Sequence, residues 1–164
     1  MVDFKYKARI ADAVLQKKLK SSGAVLVEGP KWCGKTTTSE QHAKSINYVS
    51  DPANLNRNLI MAEMNINSLL DGEKPKLLDE WQVIPQLWDA VRFAVDHSKG
   101  IGQFILTGSA VPPTKDQQEK IHHTGTGRIT TLRMRPMSLW ESGDSTGAVS
   151  LEELFKNQGM AIYG

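Results

Sequence analysis

The sequence predicts an α/β fold in three layers, with a mostly parallel, roughly five-stranded sheet between helices. Short apolar runs without polar alternation, Ala24-Val25-Leu26-Val27 and Phe104-Ile105-Leu106 among them, suit strands covered on both faces. Helical stretches alternate with these runs, which argues for parallel strands joined by right-handed crossovers. The 164 residues, 40% of them hydrophobic and 23% charged, fit one globular domain. A chain of that size buries roughly 70% of its unfolded surface without disulfide or metal.

The elements follow in order. Ala8 to Ser21 reads as a helix with Ile10, Val14 and Leu19 on one side, Lys17, Lys18 and Lys20 toward water, and Gly23 as its end. Ala24–Val27 is a central strand. A glycine-containing loop leads into a helix over Lys35 to Ser45, and Ile46–Val49 is the next strand. Asp51-Pro52 reads as an N-cap with proline in the first turn, opening a helix that carries Leu55, Leu59, Ile60 and Met64. Lys76–Asp79 is a strand ending in acid. Pro85 starts a helix with Leu87, Trp88, Val91, Ala94 and Val95 near one face. Gln103–Thr107 and Ile129–Met134 complete the strands. Pro112 to Gly127 is polar and glycine-broken and reads as an exposed loop, and Ser142 to Gly147 as a flexible stretch. Ser150 with Glu153 makes a capping box for a last short helix.

Composition narrows the function classes. Lys+Arg is 20 and Asp+Glu 18, a net charge of +2, which excludes a strongly basic nucleic-acid coat and leaves a local basic patch open. The single cysteine, Cys33, excludes an internal disulfide framework and a multi-cysteine zinc site. The opening Met-Val-Asp-Phe-Lys shows no signal peptide, and no apolar run approaches the 18 or so residues of a membrane span. A cytoplasmic location is the expectation.

Gly29-Pro30-Lys31-Trp32-Cys33-Gly34-Lys35-Thr36 matches G-x-x-x-x-G-K-[ST] in full, directly after an apolar strand and before a helix. Gly29 and Gly34 let the backbone curl so that successive N–H groups within the stretch Gly29 to Thr37, Pro30 excepted, point at phosphate oxygens. The helix start adds its dipole. Lys35 places a charge on the β- and γ-phosphates, and the Thr36 hydroxyl is a ligand for Mg²⁺. A chance glycine turn is the bland alternative, and the strand–helix context weighs against it. Trp32 either packs against the nucleotide or covers the loop. Cys33, beside Lys35 and a helix start, sits where a thiolate is favoured, although a catalytic thiol is not expected.

Leu77-Leu78-Asp79-Glu80 is an apolar strand ending in two acids. Behind a complete phosphate loop, Asp79 is expected to bind Mg²⁺, directly or through water. Glu80 would orient or deprotonate the water that attacks the γ-phosphate. Alone, two acids after leucines are more often a solvated turn. The intervening strand at Ile46–Val49 predicts that the phosphate-loop strand and the acidic strand are separated in the sheet, as in ATPases with a catalytic glutamate. Thr107 or Ser109, at the end of the next apolar strand, would lie beside the γ-phosphate; ordinary Gly-Ser turn chemistry is the alternative. His122-His123 lacks partners at ligand spacing. Arg128, after a glycine loop, could reach a γ-phosphate in its own or a neighbouring subunit, against the plainer reading of a solvated or carboxylate-paired arginine.

The order Gly29…Lys35-Thr36, Leu77-Leu78-Asp79-Glu80-Trp81-Gln82, Leu106-Thr107-Gly108-Ser109, Gly127-Arg128 and Arg135-Pro136-Met137-Ser138-Leu139-Trp140-Glu141 resembles the AAA+-like ATPase core of a widespread prokaryotic family. The resemblance covers roughly residues 8 to 155. It implies a three-layer P-loop NTPase of the catalytic-glutamate type, with ATP and Mg²⁺ as ligands. The family carries a further C-terminal domain, so the chain to Gly164 is expected to be a single ATPase core from the N-terminal part of a longer protein. Its partners would be nucleotide, that domain or another protein, and a homo-oligomer. A nucleotide-loaded switch with negligible turnover is the competing reading. A small-molecule phosphotransferase fits less well, because Pro112 to Gly127 is not an arginine-rich lid. No Asn-Lys-x-Asp guanine-reading segment is present, the one internal argument for adenine.

Overall fold

Side-chain alternation along the strands divides the core in two. In the computed structural model, which describes residues 5–109 and 127–148 with 150, 152 and 155, five parallel strands form one sheet in the order β2-β3-β4-β1-β5. They are β1 (Ala24–Gly29), β2 (Ser45–Tyr48), β3 (Lys76–Asp79), β4 (Phe104–Ser109) and β5 (Ile129–Arg133). On one face Ala24, Leu78, Phe104 and Leu106 pack with Val49, Leu69, Trp81, Leu87 and Val91. On the other, Val25, Val27, Leu77, Ile105 and Leu132 pack with Leu15, Leu19, Cys33 and Met134. Each such aliphatic side chain contributes about 1.5–3 kcal/mol when fully buried, so the sheet is held mainly through its two faces.

Helices α1 (Ile10–Leu19), α2 (Lys35–Glu40), α3 (Leu55–Asn65), α4 (Gln86–Ser98) and α5 (Leu139–Ser142) surround the sheet among the described residues. Helix α4 buries Leu87, Ala90, Val91 and Val95, a stripe at helical spacing, as the sequence indicates. Three helices differ from expectation. Helix α1 buries Leu15 and Leu19, while Ile10 is 58% and Val14 39% exposed, so its inner stripe lies one residue later than the pattern suggests. Helix α2 stops at Glu40 instead of Ser45 because the chain turns at Gln41–His42 to enter β2. Helix α3 begins at Leu55; Asp51 instead closes the preceding turn, accepting from Ala53 N and Asn54 Nδ2. Its buried residue is Asn58, whose Nδ2 donates to the Val49 carbonyl at 3.4 Å, while Leu59, Ile60 and Met64 are exposed.

The acidic strand β3 and the phosphate-loop strand β1 are separated, as expected, and the strand between them is β4. Strand β2 lies at the sheet edge beyond β3. The loop from Pro112 to residue 126, with His122 and His123, falls outside the described residues, as does Glu153 of the expected capping box. No helix among the described residues is long and apolar enough to cross a membrane.

Candidate functional site

In a parallel sheet every strand ends at the same edge, so the residues that follow β1, β3 and β4 converge. The register fixes the levels: Gly29 pairs with Ser109, Val27 with Thr107, and Leu78 with Leu106. An open cleft of about 940 Å³ lies over this edge, bounded by Lys31 to Thr38, Glu80, Met137 and the segment Lys5–Arg9 before α1. That volume is within the usual range for small-molecule sites.

The loop after β1 is shaped by two close constraints. A Cβ on Gly29 would stand 2.3 Å from the Met134 carbonyl oxygen, so only glycine lets the loop start against the exit of β5. Gly34 has φ +93°, a left-handed conformation that suits glycine. Trp32 also has positive φ, 67°, and is 91% exposed at the crest of the loop, with Lys31 Nζ 5.5 Å from its ring centroid. Of the two readings of Trp32, the one in which it covers the loop is therefore not what this exposed ring does. Lys35 is buried, and its Nζ donates to the Gly29 and Pro30 carbonyls at 3.2 and 3.1 Å. The ammonium thus sits inside the ring of the loop. Cys33 is buried against Met134 and belongs to the core. Its thiol is a packing group.

The acids are organised by hydroxyls. Thr36 Oγ1 and Thr107 Oγ1 both donate to Asp79 Oδ1, at 2.7 and 2.6 Å. Thr107 Oγ1 also accepts from Glu80 N at 3.0 Å. Thr107 is fully buried, so its hydroxyl holds the acid pair in place and does not face the cleft as a phosphate sensor. Ser109 closes β4 at the right level, and its side chain lies outside the described residues. Glu80 adopts a left-handed conformation, φ 56° and ψ 48°, which turns its carboxylate out of the strand direction toward the cleft. Gln82 Nε2 donates to Glu80 Oε2.

Thr36 and Asp79 offer hydroxyl and carboxylate oxygens, the hard donors that Mg²⁺ prefers. Thr36 Oγ1 and Asp79 Oδ1 lie 2.7 Å apart, so one hard cation would find both oxygens within reach. Among the described residues no group of three or more His, Cys, Asp or Glu could hold a metal ion.

A family model described as an AAA domain matches residues 21–142. The chain belongs to the AAA domain family. No curated protein matches it. The matched segment runs from just before β1 to the end of α5 and so contains every strand among the described residues; the Lys5–Arg9 side of the cleft lies before it. An AAA domain is a nucleotide-binding domain of the P-loop ATPase type.

Arg128, also expected at the site, lies far from the cleft. Arg128 precedes β5, and its carbonyl accepts from Ala24 N at the start of β1. It therefore lies at the opposite edge of the sheet, where its Nε donates to Asp96 Oδ1 at 2.6 Å. The guanidinium beside it holds the Asp96 carboxyl below the usual range. Arg128 cannot serve a phosphate bound by its own chain.

Sequence reasoning missed Arg9 and Tyr6. Arg9 and Glu141 form an ion pair at 3.0 Å with both side chains 5% exposed. Tyr6 Oη donates to Asp12 and lies 3.2 Å from Thr38 Oγ1, and Asp12 Oδ1 is 2.9 Å from His42 Nε2, which ties the N-terminal segment to α2. The only sequence signals were Arg9 just before a helix and Glu141 in a capping-box spacing, and neither reveals the other.

Proposed function

We propose that the chain is one P-loop core that binds Mg-ATP and hydrolyses it. The observation that carries this reading is the single hydrogen-bonded set Thr36–Asp79–Thr107–Glu80 at the mouth of a complete phosphate loop. The loop amides and the Lys35 ammonium bind the phosphates, with Lys35 exchanging its two carbonyl acceptors for phosphate oxygens. Bound Mg²⁺ would supply charge neutralisation at the β- and γ-phosphates. Thr36 and Asp79 would hold that ion, and Thr107 fixes Asp79 and the Glu80 amide. Glu80 accepts the proton of the attacking water as the β–γ oxygen leaves with ADP.

A second reading, a nucleotide-loaded switch, has one observation in its favour. Gln82 hydrogen-bonds the Glu80 carboxylate and competes with water for it, so slow turnover is expected.

Glu80→Gln tests the proposal. Glutamine keeps size and hydrogen bonding but cannot accept the proton. Mg-ATP affinity should be retained while turnover falls about 10²–10⁴-fold, the share of a positioned general base. Wild-type turnover no faster than that of the variant, with ATP bound in both, leaves the switch reading.

A further inference from the structure

The phosphate loop is held from behind by a side chain that no motif contains. Arg9, just before α1, spreads its guanidinium over three acceptors: Nη1 to the Cys33 carbonyl at 2.8 Å, Nη2 to the Arg135 carbonyl at 2.9 Å, and Nε to Glu141 Oε1 at 3.0 Å. Only the arginine fork reaches acceptors in three directions from one rigid plane. Glu141 is itself fixed, accepting from Ile10 N, Ser138 N and Ser138 Oγ. Those bonds hold its carboxyl at a pKa of about 2, so the anchor stays charged at neutral pH.

We propose that Arg9 is a positioning residue for phosphate binding: by gripping the Cys33 carbonyl it fixes the Cys33–Gly34 peptide so that the Gly34 N–H is directed at bound phosphate. The inference rests on the nucleotide reading above. Its physical basis is the peptide plane. In a trans peptide C=O and N–H point in opposite directions, so a carbonyl drawn back to Arg9 leaves the amide aimed the other way. Gly34, at φ +93°, has the freest backbone of the loop, and its peptide would otherwise rotate at little cost. A buried ion pair contributes little net stability over apolar packing. Its use here is to hold one carbonyl of the phosphate loop in a defined direction while tying the loop to the segment after β5.

The test uses Arg9→Lys in the full chain, with Lys35→Ala as reference. Calorimetry measures affinity for Mg-ATP and for inorganic tripolyphosphate, which has no nucleoside, at a temperature where thermal unfolding shows the variant folded. The Gly34 amide ¹H–¹⁵N shift is followed during the tripolyphosphate titration. Lysine cannot hold Cys33, Arg135 and Glu141 together. Both ligands should therefore weaken by the same factor, roughly tenfold to a hundredfold, the worth of a hydrogen bond to a charged group. The downfield movement of the Gly34 resonance should shrink with them. A merely structural role would lower the unfolding temperature and leave both readouts of the folded protein at wild-type values, which overturns the proposal. Loss of ATP affinity with tripolyphosphate unaffected also overturns it, because Arg9 would then act on the nucleoside. If Arg9→Lys does not fold, Glu141→Gln takes its place, removing the anchor and leaving the guanidinium. Weaker binding of both ligands by that variant, with a smaller Gly34 shift, supports the proposal, and wild-type values overturn it. If wild type binds neither ligand, or Lys35→Ala binds as wild type does, the nucleotide reading itself fails.

Discussion

Glu80 shows how a functional residue sits against its own conformational preference. It occupies left-handed space at φ 56°, a region that costs an L-residue roughly 1–2 kcal/mol. The chain holds it there through the Glu80 N–Thr107 bond on one side and the Trp81–Val83 3₁₀ turn on the other. The strain aims the carboxylate out of β3, where an extended residue would continue along the strand. Two substitutions separate backbone from side chain. Glu80→Ala and Glu80→Gly both remove the carboxylate and should both abolish turnover. In urea unfolding we expect Glu80→Gly to be the more stable of the two by about 1 kcal/mol, the reverse of their order in a helix. Alanine equal to or better than glycine would mean that the left-handed conformation is not kept in solution.

Among the elements, β3 and β4 were the most legible, because a strand covered on both faces is written as an unbroken apolar run and nothing else competes for Leu77-Leu78 or Phe104-Ile105-Leu106. Helix α4 was equally plain from its stripe. Helix α3 was not: Leu59, Ile60 and Met64 mimic an apolar face, yet the helix turns Asn58 inward to satisfy the carbonyls at the end of β2. Tertiary hydrogen bonding there outweighs the apolar pattern. The Glu141 helix α5 was visible only as part of a motif, and its connection to Arg9 spans 132 positions, beyond any local signal. That connection carries a pH dependence. Glu141 has its carboxyl pKa lowered to about 2 in the fold, below its unfolded value of about 4.3. The stability it contributes is therefore complete above the unfolded value and lost as pH falls toward about 2. We expect the urea midpoint of Glu141→Gln to lie below wild type by a constant amount from pH 7 to about 5, with the gap closing as pH falls below about 4. A gap that stays constant to pH 3 would show that the carboxylate is not held charged by these bonds.

At the scale of the whole molecule, the polarity of a parallel sheet decides which residues can cooperate. Gly29, Glu80 and Ser109 share one edge because β1, β3 and β4 all end there; that much follows from the strand–loop–helix order and was legible in the sequence. Sheet polarity could also have warned against Arg128, since a residue just before a parallel strand lies at the far edge, but a glycine loop ahead of an arginine reads the same whichever edge it serves. Register puts Arg128 level with the start of β1, and from Ala24 to Gly29 the strand advances about 17 Å at roughly 3.3 Å per residue. An arginine side chain spans well under half of that, and this one is turned to Asp96 at 2.6 Å. Arg128→Ala should therefore leave Mg-ATP affinity unchanged. It should also leave turnover per chain unchanged at protein concentrations low enough for isolated chains. A neighbouring copy is the one route by which the guanidinium could meet a γ-phosphate, and that route has a signature. Wild-type turnover per chain would rise with protein concentration, and Arg128→Ala would stay flat over the same range. Measuring both proteins across that range separates the cases. A reduced rate in the variant at the lowest concentration, where no copy is available to help, would contradict the placement of Arg128 at the far edge.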